Sequence, residues 1–259
     1  MQPYDAFLVV DVEATCHSGC GFDYPNEIIE WPVILLRWND QTEDGRASSL
    51  VQVAEFRSYV RPTWRPQLST FCTDLTGITQ ADIDSAPTWP EVLGLFAEFL
   101  AHHGLIDPRT GARSQKFIFC CDGPFDIRDF VTKQSHISKI PIPGYLRGDI
   151  LDIRKSVASL MASRELREPM TSTAAHIQRN NQKHLYLPIP MQLSALLLPS
   201  FTGRLHCGLD DARNVARILI ELARTPLRVE PNTRILPNRR WWWMGPGGKV
   251  NYPDSRTPA

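Results

Sequence analysis

Acidic side chains occur at two distant points of the chain, and one group of them lies beside a histidine. The segment DVEAT places Asp11 and Glu13 two positions apart. The segment GRLHCGLDD places His206 five positions before Asp211. Carboxylates that converge from distant parts of a chain, with one histidine beside them, are what a phosphodiester hydrolase that uses two metal ions requires.

The alternation of side chains along a strand puts Asp11 and Glu13 on one face, where they repel each other unless a cation lies between them. Mg²⁺ and Mn²⁺ prefer oxygen ligands and are commonly bound by carboxylates together with substrate phosphate. Asp122, which follows another apolar run, and Asp211 would complete a site for two ions roughly 4 Å apart. With an ordinary pKa of about 6.5, His206 is suited to act as the general base that takes a proton from water.

Each of these features also has a purely structural explanation. An Asp-x-Glu pair at the end of a strand often begins a solvated loop, and Asp122 could cap the turn at Gly123. Asp211 could serve only as a helix cap, and a single histidine such as His206 is usually structural. The occurrence of all of them together, in this order, favours the metal site.

The composition is that of an ordinary globular protein, but its charge is unevenly distributed. The 259 residues include 28 basic and 28 acidic ones, so the net charge of zero indicates no particular partner. Residues 226–259 contain six Lys or Arg and two Asp or Glu, which leaves +4 on this segment and −4 on residues 1–225. A basic tail of this kind can attract a polyanion.

The six cysteines show no paired CxxC spacing, so we interpret them as reduced thiols of an intracellular protein, cytoplasmic or nuclear. A zinc site at Cys16, His17 and Cys20 is disfavoured because no second pair of ligands supports it. No apolar stretch is long enough to span a membrane, so we expect no membrane partner. The first strand-like run begins a few residues after Met1, which leaves no room for a signal or transit peptide.

Three apolar segments joined by short loops predict an antiparallel meander. Residues 7–10 form a continuous apolar run, and strands follow over 28–36 and 56–60. Pro32 lies inside the second of these and indicates a bulge or an edge position. A further apolar run over 116–121 predicts another strand.

Helical patterns follow the meander. Thr88 and Glu91 form a capping-box signature before an amphipathic helix. Further helices are expected near Asp126 and from Asp210 or Asp211 to the residue before Pro226. These elements predict an α/β fold, with a mixed sheet of antiparallel and parallel strands flanked by helices. Since ligands in such folds gather at the carboxyl ends of strands, the acidic residues are expected to share one site.

The acidic residues and their neighbours resemble the DEDDh exonucleases, the DnaQ-like group of the ribonuclease-H-like superfamily. The resemblance is closer still to the Eri-type 3′–5′ exoribonucleases, and it covers roughly residues 5–225. The motifs that carry it are DVEATC at 11–16, PNEIIEWP at 25–32, LTGIT at 75–79, CDGPFD at 121–126 and HCGLDD at 206–211.

This resemblance implies a ribonuclease-H-like fold, two Mg²⁺ ions that Mn²⁺ could replace, and a role for each matching residue. The metal ligands would be Asp11, Glu13, Asp122 and Asp211, and the catalytic residues would be His206 and Glu13. Ala14 and Thr15 would present backbone groups to the terminal nucleotide. Leu75 and Phe125 would flank its base, with Phe125 standing where the family usually has tryptophan, and His206 would also contact the substrate.

The implied activity is the release of nucleoside 5′-monophosphates from RNA 3′ ends, in small-RNA or ribosomal-RNA processing. A protein partner in an RNA-silencing or RNA-processing complex is also expected. Two alternatives stay open, namely an RNA-binding scaffold with negligible turnover and a DNA-directed 3′–5′ exonuclease. Competition between RNA and DNA of one sequence would separate the last of these, because only RNA offers a 2′-hydroxyl contact.

One segment departs from the family pattern, and a second lies beyond the part of the chain that carries the resemblance. Residues 164–182 are polar and lengthen the connection before His206, which suggests an insertion near the mouth of the site. Residues 226–259 form a Pro/Arg/Trp-rich arm outside the exonuclease domain of residues 1–225. The tryptophans 241–243 could stack on bases of a single strand. We favour their packing on the body, because three adjacent exposed tryptophans would lower solubility.

Overall fold

Six strands form one mixed sheet in the computed structural model, which describes residues 2–165 and 186–253. The first four strands pair in antiparallel fashion, and the last two add in parallel beyond the first. This arrangement confirms the predicted mixed sheet. The strands are β1 (Ala6–Val10), β2 (Glu13–Ala14), β3 (Ile28–Trp38), β4 (Leu50–Tyr59), β5 (Phe117–Cys121) and β6 (Leu151–Asp152).

Helices cover the two faces of this sheet. Within the described residues they are α1 (Thr70–Thr76), α2 (Gln80–Asp84), α3 (Trp89–His102), α4 (Val131–Ile137), α5 (Ile153–Glu165), α6 (Ile189–Ala195) and α7 (Gly208–Ala223). A turn of π-helix over Asp126–Phe130 leads directly into α4. None of the helices in the described part of the chain has both the length and the apolar character that crossing a membrane would need.

Strand β1 is the centre of the core, because its side chains alternate between two apolar layers. Leu8 and Val10 pack on the side covered by α3, whereas Phe7 and Val9 pack on the side covered by α7. All of these side chains are fully buried, and burying one large apolar side chain contributes about 1.5–3 kcal/mol. The carboxyl end of β1 is therefore held firmly in place.

The break between β1 and β2 follows from a proline in the neighbouring strand. Both strands lie along β3, and their register places Pro32 opposite Asp11. Since proline has no N–H to donate, the ladder is interrupted there, and the Val12 N–H donates instead to Oδ1 of Asp126 at 2.9 Å. The predicted bulge or edge at Pro32 is wrong, because β3 is an interior strand whose register shifts at Leu35/Leu36. Proline is tolerated inside the sheet because the facing strand stops at this point.

The predicted elements are present, with longer or additional neighbours. The capping box before α3 is confirmed, since Glu91 Oε2 accepts a hydrogen bond from the Thr88 N–H. The meander strand expected over 56–60 is the second half of the ten-residue β4. The sequence patterns did not predict α1, α2 or α6. Of the suggested insertion at 164–182, the first two residues end α5, and residues 166–182 lie outside the described part of the chain.

The described part of the C-terminal arm packs on the body. Trp241 and Trp243 are buried in an apolar cluster with Ile137, while Trp242 is half exposed. The indole N–H of Trp243 donates to the carbonyl of Asp23 at 2.7 Å. The preferred packing of the tryptophans on the body is thus confirmed for two of the three. The division of the chain into domains at residue 225 stays a prediction.

Candidate active site

Three structural elements bring the acidic residues together. The break after β1 carries Asp11 and leads into Glu13 of β2, and the first turn of α7 carries Asp211. The π-helical turn that follows β5 begins with Asp126. Each residue therefore lies at the end of an element rather than on a long loop, which fixes its backbone.

Glu13, His206 and Asp211 form the tightest group. One potential ligand atom from each of them lies within 4.8 Å of the others. Both carboxylates are buried, whereas His206 is exposed. The backbone N–H of His206 donates to Oδ2 of Asp211 at 2.8 Å, and His206 adopts a left-handed φ of 60°. The turn thus folds the histidine back beside the carboxylate that follows it by five positions.

Glu30, a fully buried side chain of β3, holds this turn against the sheet. Its carboxylate accepts a hydrogen bond from the Gly208 N–H at 3.0 Å and from the Arg57 guanidinium at 2.7 Å. A Cβ atom at Gly208 would lie 2.5 Å from the carbonyl oxygen of Asp11, so only glycine permits this approach. The start of α7 and the end of β1 are in direct contact as a result.

Asp126 is a member of the cluster that the sequence patterns missed. It is 7 % exposed, and it is the neighbour whose negative charge acts most strongly on Asp11, ahead of Asp211 and Glu13. The available signal was its place in the CDGPFD motif, where it follows Phe125. The strand-end argument selected Asp122 instead, because it is the first acidic residue after β5.

Gly123 explains why a residue beyond the strand end reaches the cluster. Its φ of 99° reverses the chain directly after β5, in a region that favours glycine. A Cβ atom there would lie 1.8 Å from a guanidinium nitrogen of Arg154, which packs against this turn. The reversal places Asp126 beneath the Val12 amide, at the break between β1 and β2.

Asp122 lies at the border of the cluster. It is half-buried, and its Oδ1 accepts a hydrogen bond from Nε2 of Gln192 at 2.6 Å. Burial raises its pKa to about 6, against the opposing effects of that hydrogen bond and of Arg154. Its charge still acts on Asp11 and Asp211. Its role as a metal ligand stays a prediction.

The carboxyl groups in the cluster hold their protons unusually strongly. Burial raises the pKa of Asp126 and of Asp211 to about 7, although each carboxylate accepts a backbone hydrogen bond that opposes the change. Burial, reinforced by the neighbouring carboxylates, raises the pKa of Asp11 and Glu13 well above their ordinary values. Close carboxylates resist ionisation in this way until a cation offsets their charge.

This donor set fits divalent metal ions. Four carboxylates, from Asp11, Glu13, Asp126 and Asp211, offer hard oxygen ligands in a partly dry site, and His206 adds a ring nitrogen at its edge. In the described part of the chain, the group around Glu13 is the one cluster of at least three metal-binding side chains with this spacing. Cys16, His17 and Cys20 do not form a second one there.

The residues predicted to contact the substrate differ in exposure. Ala14 and Thr15 are buried, and the Thr15 N–H donates to the Glu27 carbonyl at 2.8 Å. The Thr15 carbonyl accepts from the Asn26 side chain, so the backbone groups of Thr15 are engaged within the protein. The roles of Ala14 and Thr15 toward a nucleotide stay predictions.

Leu75 and Phe125 are both half-buried and lie on different elements. Leu75 lies on α1 one helical turn after Phe71, which is 42 % exposed and was not predicted from the sequence. The α1 helix is joined to the histidine turn by Arg204, whose guanidinium donates to the Asp74 carbonyl at 2.7 Å. The ring of Phe125 stacks on that of Phe22 with a centroid distance of 4.6 Å.

Comparison with known proteins identifies related chains. A family model described as "Exonuclease" (RNase_T) matches residues 8–219. The chain is 34% identical to the 3′–5′ exonuclease eri1 of Schizosaccharomyces pombe, over 91% of this chain and 71% of that protein. It is 30% identical to 3′–5′ exoribonuclease 1 of Homo sapiens, of which it spans 56% of the length while 90% of this chain is matched.

Two solved structures share both fold and sequence with this chain. The nuclease domain of 3′hExo, a DEDDh family member bound to rAMP, superimposes with a TM-score of 0.67 at 31% identity, covering 90% of this chain and 98% of that domain. A 3′-exonuclease that recognises the 3′ end of a histone mRNA stem-loop gives a TM-score of 0.68 at 30% identity, covering 88% of this chain and 86% of that one.

Proposed function

Since the chain belongs to the RNase T-type family of DEDDh 3′–5′ exonucleases, we propose that it is a metal-dependent exoribonuclease. It would remove nucleotides from RNA 3′ ends and release nucleoside 5′-monophosphates. The observation that carries this proposal is the group of four carboxylates, three of them buried and Asp11 half-buried, with His206 at its edge.

Asp11, Glu13, Asp126 and Asp211 would hold the metal ions, and Mg²⁺ is the ion we propose, with Mn²⁺ able to replace it. Enzymes of this family use divalent metal ions. When bound, the ions would supply a water of lowered pKa and an electrostatic clamp on the phosphate. Asp122, the ligand expected from the sequence, contributes negative charge from a position already engaged by Gln192.

His206 would act on the proton of the attacking water. Its side chain is exposed to the mouth of the site, while its backbone is fixed by Asp211, so a ring nitrogen can accept that proton without losing its position. Glu13 lies in the same group of ligand atoms and would orient the water as well as bind metal. Hydrolysis then leaves a free 3′-hydroxyl on the shortened strand and a 5′-phosphate on the released nucleotide.

The preference for RNA rests on relatives whose names specify exoribonuclease activity and recognition of an mRNA 3′ end. We infer that RNA 3′ ends are also the substrate here, in small-RNA or ribosomal-RNA processing, with a protein partner of an RNA-silencing or RNA-processing complex. A cytoplasmic or nuclear location stays a prediction from the cysteines. Phe125 would stack on the terminal base, and Leu75 would line the opposite side.

A labelled-strand assay tests this proposal. A 5′-labelled single-stranded RNA is incubated with wild type and with Asp211→Ala, in Mg²⁺, in Mn²⁺ and in EDTA. We expect a ladder that shortens from the 3′ end with wild type and either metal, and none with the variant or with EDTA. The same strand as DNA, added as a competitor, tests the preference for RNA.

Two results would contradict the proposal in different ways. RNA that stays intact but shifts on a native gel would favour the binding scaffold without turnover. A DNA strand that is degraded faster than the RNA would favour the DNA-directed exonuclease. As a check on the base, His206→Ala is expected to lower turnover by about 100-fold or more while RNA affinity changes little.

A further inference from the structure

A groove of about 500 Å³ runs between the π-helical turn after β5 and the C-terminal arm. Its walls contain three arginines, two from the arm and one from the turn. We call it the arginine groove, and its lining residues are Arg128, Arg234, Leu236, Pro237, Asn238 and Arg239. Nothing in the proposed hydrolysis uses it.

The arginine groove carries an excess of positive charge. Asp129, which is 1 % exposed, forms ion pairs with Arg128 at 2.8 Å and with Arg239 at 2.7 Å. Asp129 thus pairs with two of the three lining guanidinium groups and offsets one of their three positive charges. Arg234 is exposed and makes no hydrogen bond or ion pair with any described residue. Its guanidinium is available to a ligand.

The arginine groove adjoins the mouth of the carboxylate cluster. The guanidinium carbon of Arg128 lies 5.3 Å from the ring centroid of Phe125, the residue directly before Asp126. Phe22 stacks on the same ring and is 53 % exposed. A strand that leaves the cluster past Phe125 would meet an exposed aromatic ring and then the arginines.

Contacts with the body hold the arm wall of the groove and the neighbouring loop of Phe22. Arg239 lies over the ring of Trp241, with 5.0 Å between its guanidinium carbon and the ring centroid, and Trp241 is buried on the body. The loop that carries Phe22 is fastened by Lys133, whose Nζ donates to the carbonyls of Phe22 and Tyr24. The arm is thus packed on the surface beside the site, with Arg239 already placed by its contacts.

We propose that the arginine groove binds the phosphodiester backbone of the RNA strand a few nucleotides 5′ of the terminal one. This rests on the proposed function. Guanidinium groups match phosphate oxygens in charge and in bidentate geometry. The exposed face of Phe22 would stack on a base of the same stretch, as aromatic rings do in single-strand binding proteins.

Arg234 provides the test, because its replacement removes no hydrogen bond or ion pair with any described residue. Wild type, Arg234→Ala, Arg234→Glu and Arg234→Lys are compared on a long single-stranded RNA and on a trinucleotide, which has only one phosphodiester beyond the scissile one and lacks the stretch proposed to lie in the groove. The matched control is Arg228→Ala, which removes an arm arginine that is also exposed but pairs with Glu230.

We expect KM for the long RNA to rise about 3- to 10-fold in Arg234→Ala and further in Arg234→Glu, with no change in kcat. Arg234→Lys should recover only part of the loss, because lysine keeps the charge but not the bidentate geometry. KM for the trinucleotide should stay within about twofold of wild type. The slope of log affinity against log salt should fall by about 0.7, the value for one phosphate contact on a single strand.

Three results would overturn the proposal. They are an unchanged KM for the long RNA, an equal rise for the trinucleotide, and an equal effect of the Arg228→Ala control. If wild type hydrolyses neither RNA, the proposed function fails, and fluorescence anisotropy of the long RNA in EDTA still tests the groove. Weaker binding by Arg234→Glu would then support the groove, and unchanged binding would refute it.

Discussion

Replacing Asp126 by asparagine removes one buried negative charge but keeps the size of the side chain and an oxygen acceptor for the Val12 amide. The wild-type carboxyl is 7 % exposed, and its pKa is raised from 3.8 to about 7 by burial. One pKa unit corresponds to about 1.4 kcal/mol. Ionising this group therefore costs about 4 kcal/mol more in the folded protein than in the unfolded chain. Because the carboxyls of the cluster share protons among themselves, only part of this cost falls on Asp126 at pH 8. We therefore expect Asp126→Asn to raise the free energy of unfolding of the metal-free protein by about 1–3 kcal/mol.

The same substitution should abolish most of the stability and the activity that depend on bound metal. Wild type at a Mg²⁺ concentration 100 times the dissociation constant gains about 2.7 kcal/mol, which corresponds to about 5–10 °C in Tm for a chain of this size. Asp126→Asn should lose most of this gain, together with more than about 100-fold in turnover, because even partners of metal ligands often contribute 10- to 100-fold. A variant that is more stable without metal and inactive with it is the expected combination.

Thermal unfolding at pH 8 in EDTA and in Mg²⁺, followed by the labelled-RNA assay, measures both effects. Asp122→Asn is the matched control, since it removes a half-buried carboxylate held by Gln192. It should keep the Mg²⁺-dependent increase in Tm and lose less than about tenfold in turnover. The reverse pattern, with Asp122→Asn inactive and unresponsive to Mg²⁺ while Asp126→Asn behaves like wild type, would refute the assignment.

Three further predictions concern pH and packing. Carboxyls such as Asp126 and Asp211, whose folded pKa of about 7 exceeds the unfolded value of 3.8, bind more protons when folded, so the free energy of unfolding in EDTA should fall as pH rises from 4 to 7. Urea titrations across this range test the sign, and a rise would contradict it. Gly208→Ala puts a Cβ atom 2.5 Å from the Asp11 carbonyl oxygen. The free energy of unfolding, from denaturation followed by circular dichroism, should therefore fall by about 1–3 kcal/mol, and turnover should fall by more than this loss of stability explains. Trp243→Ala, which empties a fully buried position in the arm cluster, should cost about 3–5 kcal/mol in chemical denaturation, and a loss below 1 kcal/mol would show that the arm does not stabilise the body.

The parts of the fold and the site that the sequence predicted are those set by local spacing. Two-residue alternation at the end of a buried strand places Asp11 and Glu13 together, and the start of one helix places His206 beside Asp211. Apolar runs and a capping box predicted β1, β3, β5 and α3 in the same way, because period and capping act within one element. Pro32 was recognised as unusual, but its effect could not be read without knowing which strand faces it.

The tertiary structure decided which carboxylate completes the cluster. Asp122 and Asp126 both follow β5, and the sequence patterns favoured the one at the strand end. The choice depends on a chain reversal at Gly123 and on a hydrogen bond from the Val12 amide to Asp126, which joins residues 114 positions apart. The tertiary structure also places the arm beside the mouth of the site, through contacts with loops from the first half of the chain. Contacts between such distant segments depend on how the elements pack in three dimensions, and no spacing within one segment encodes them.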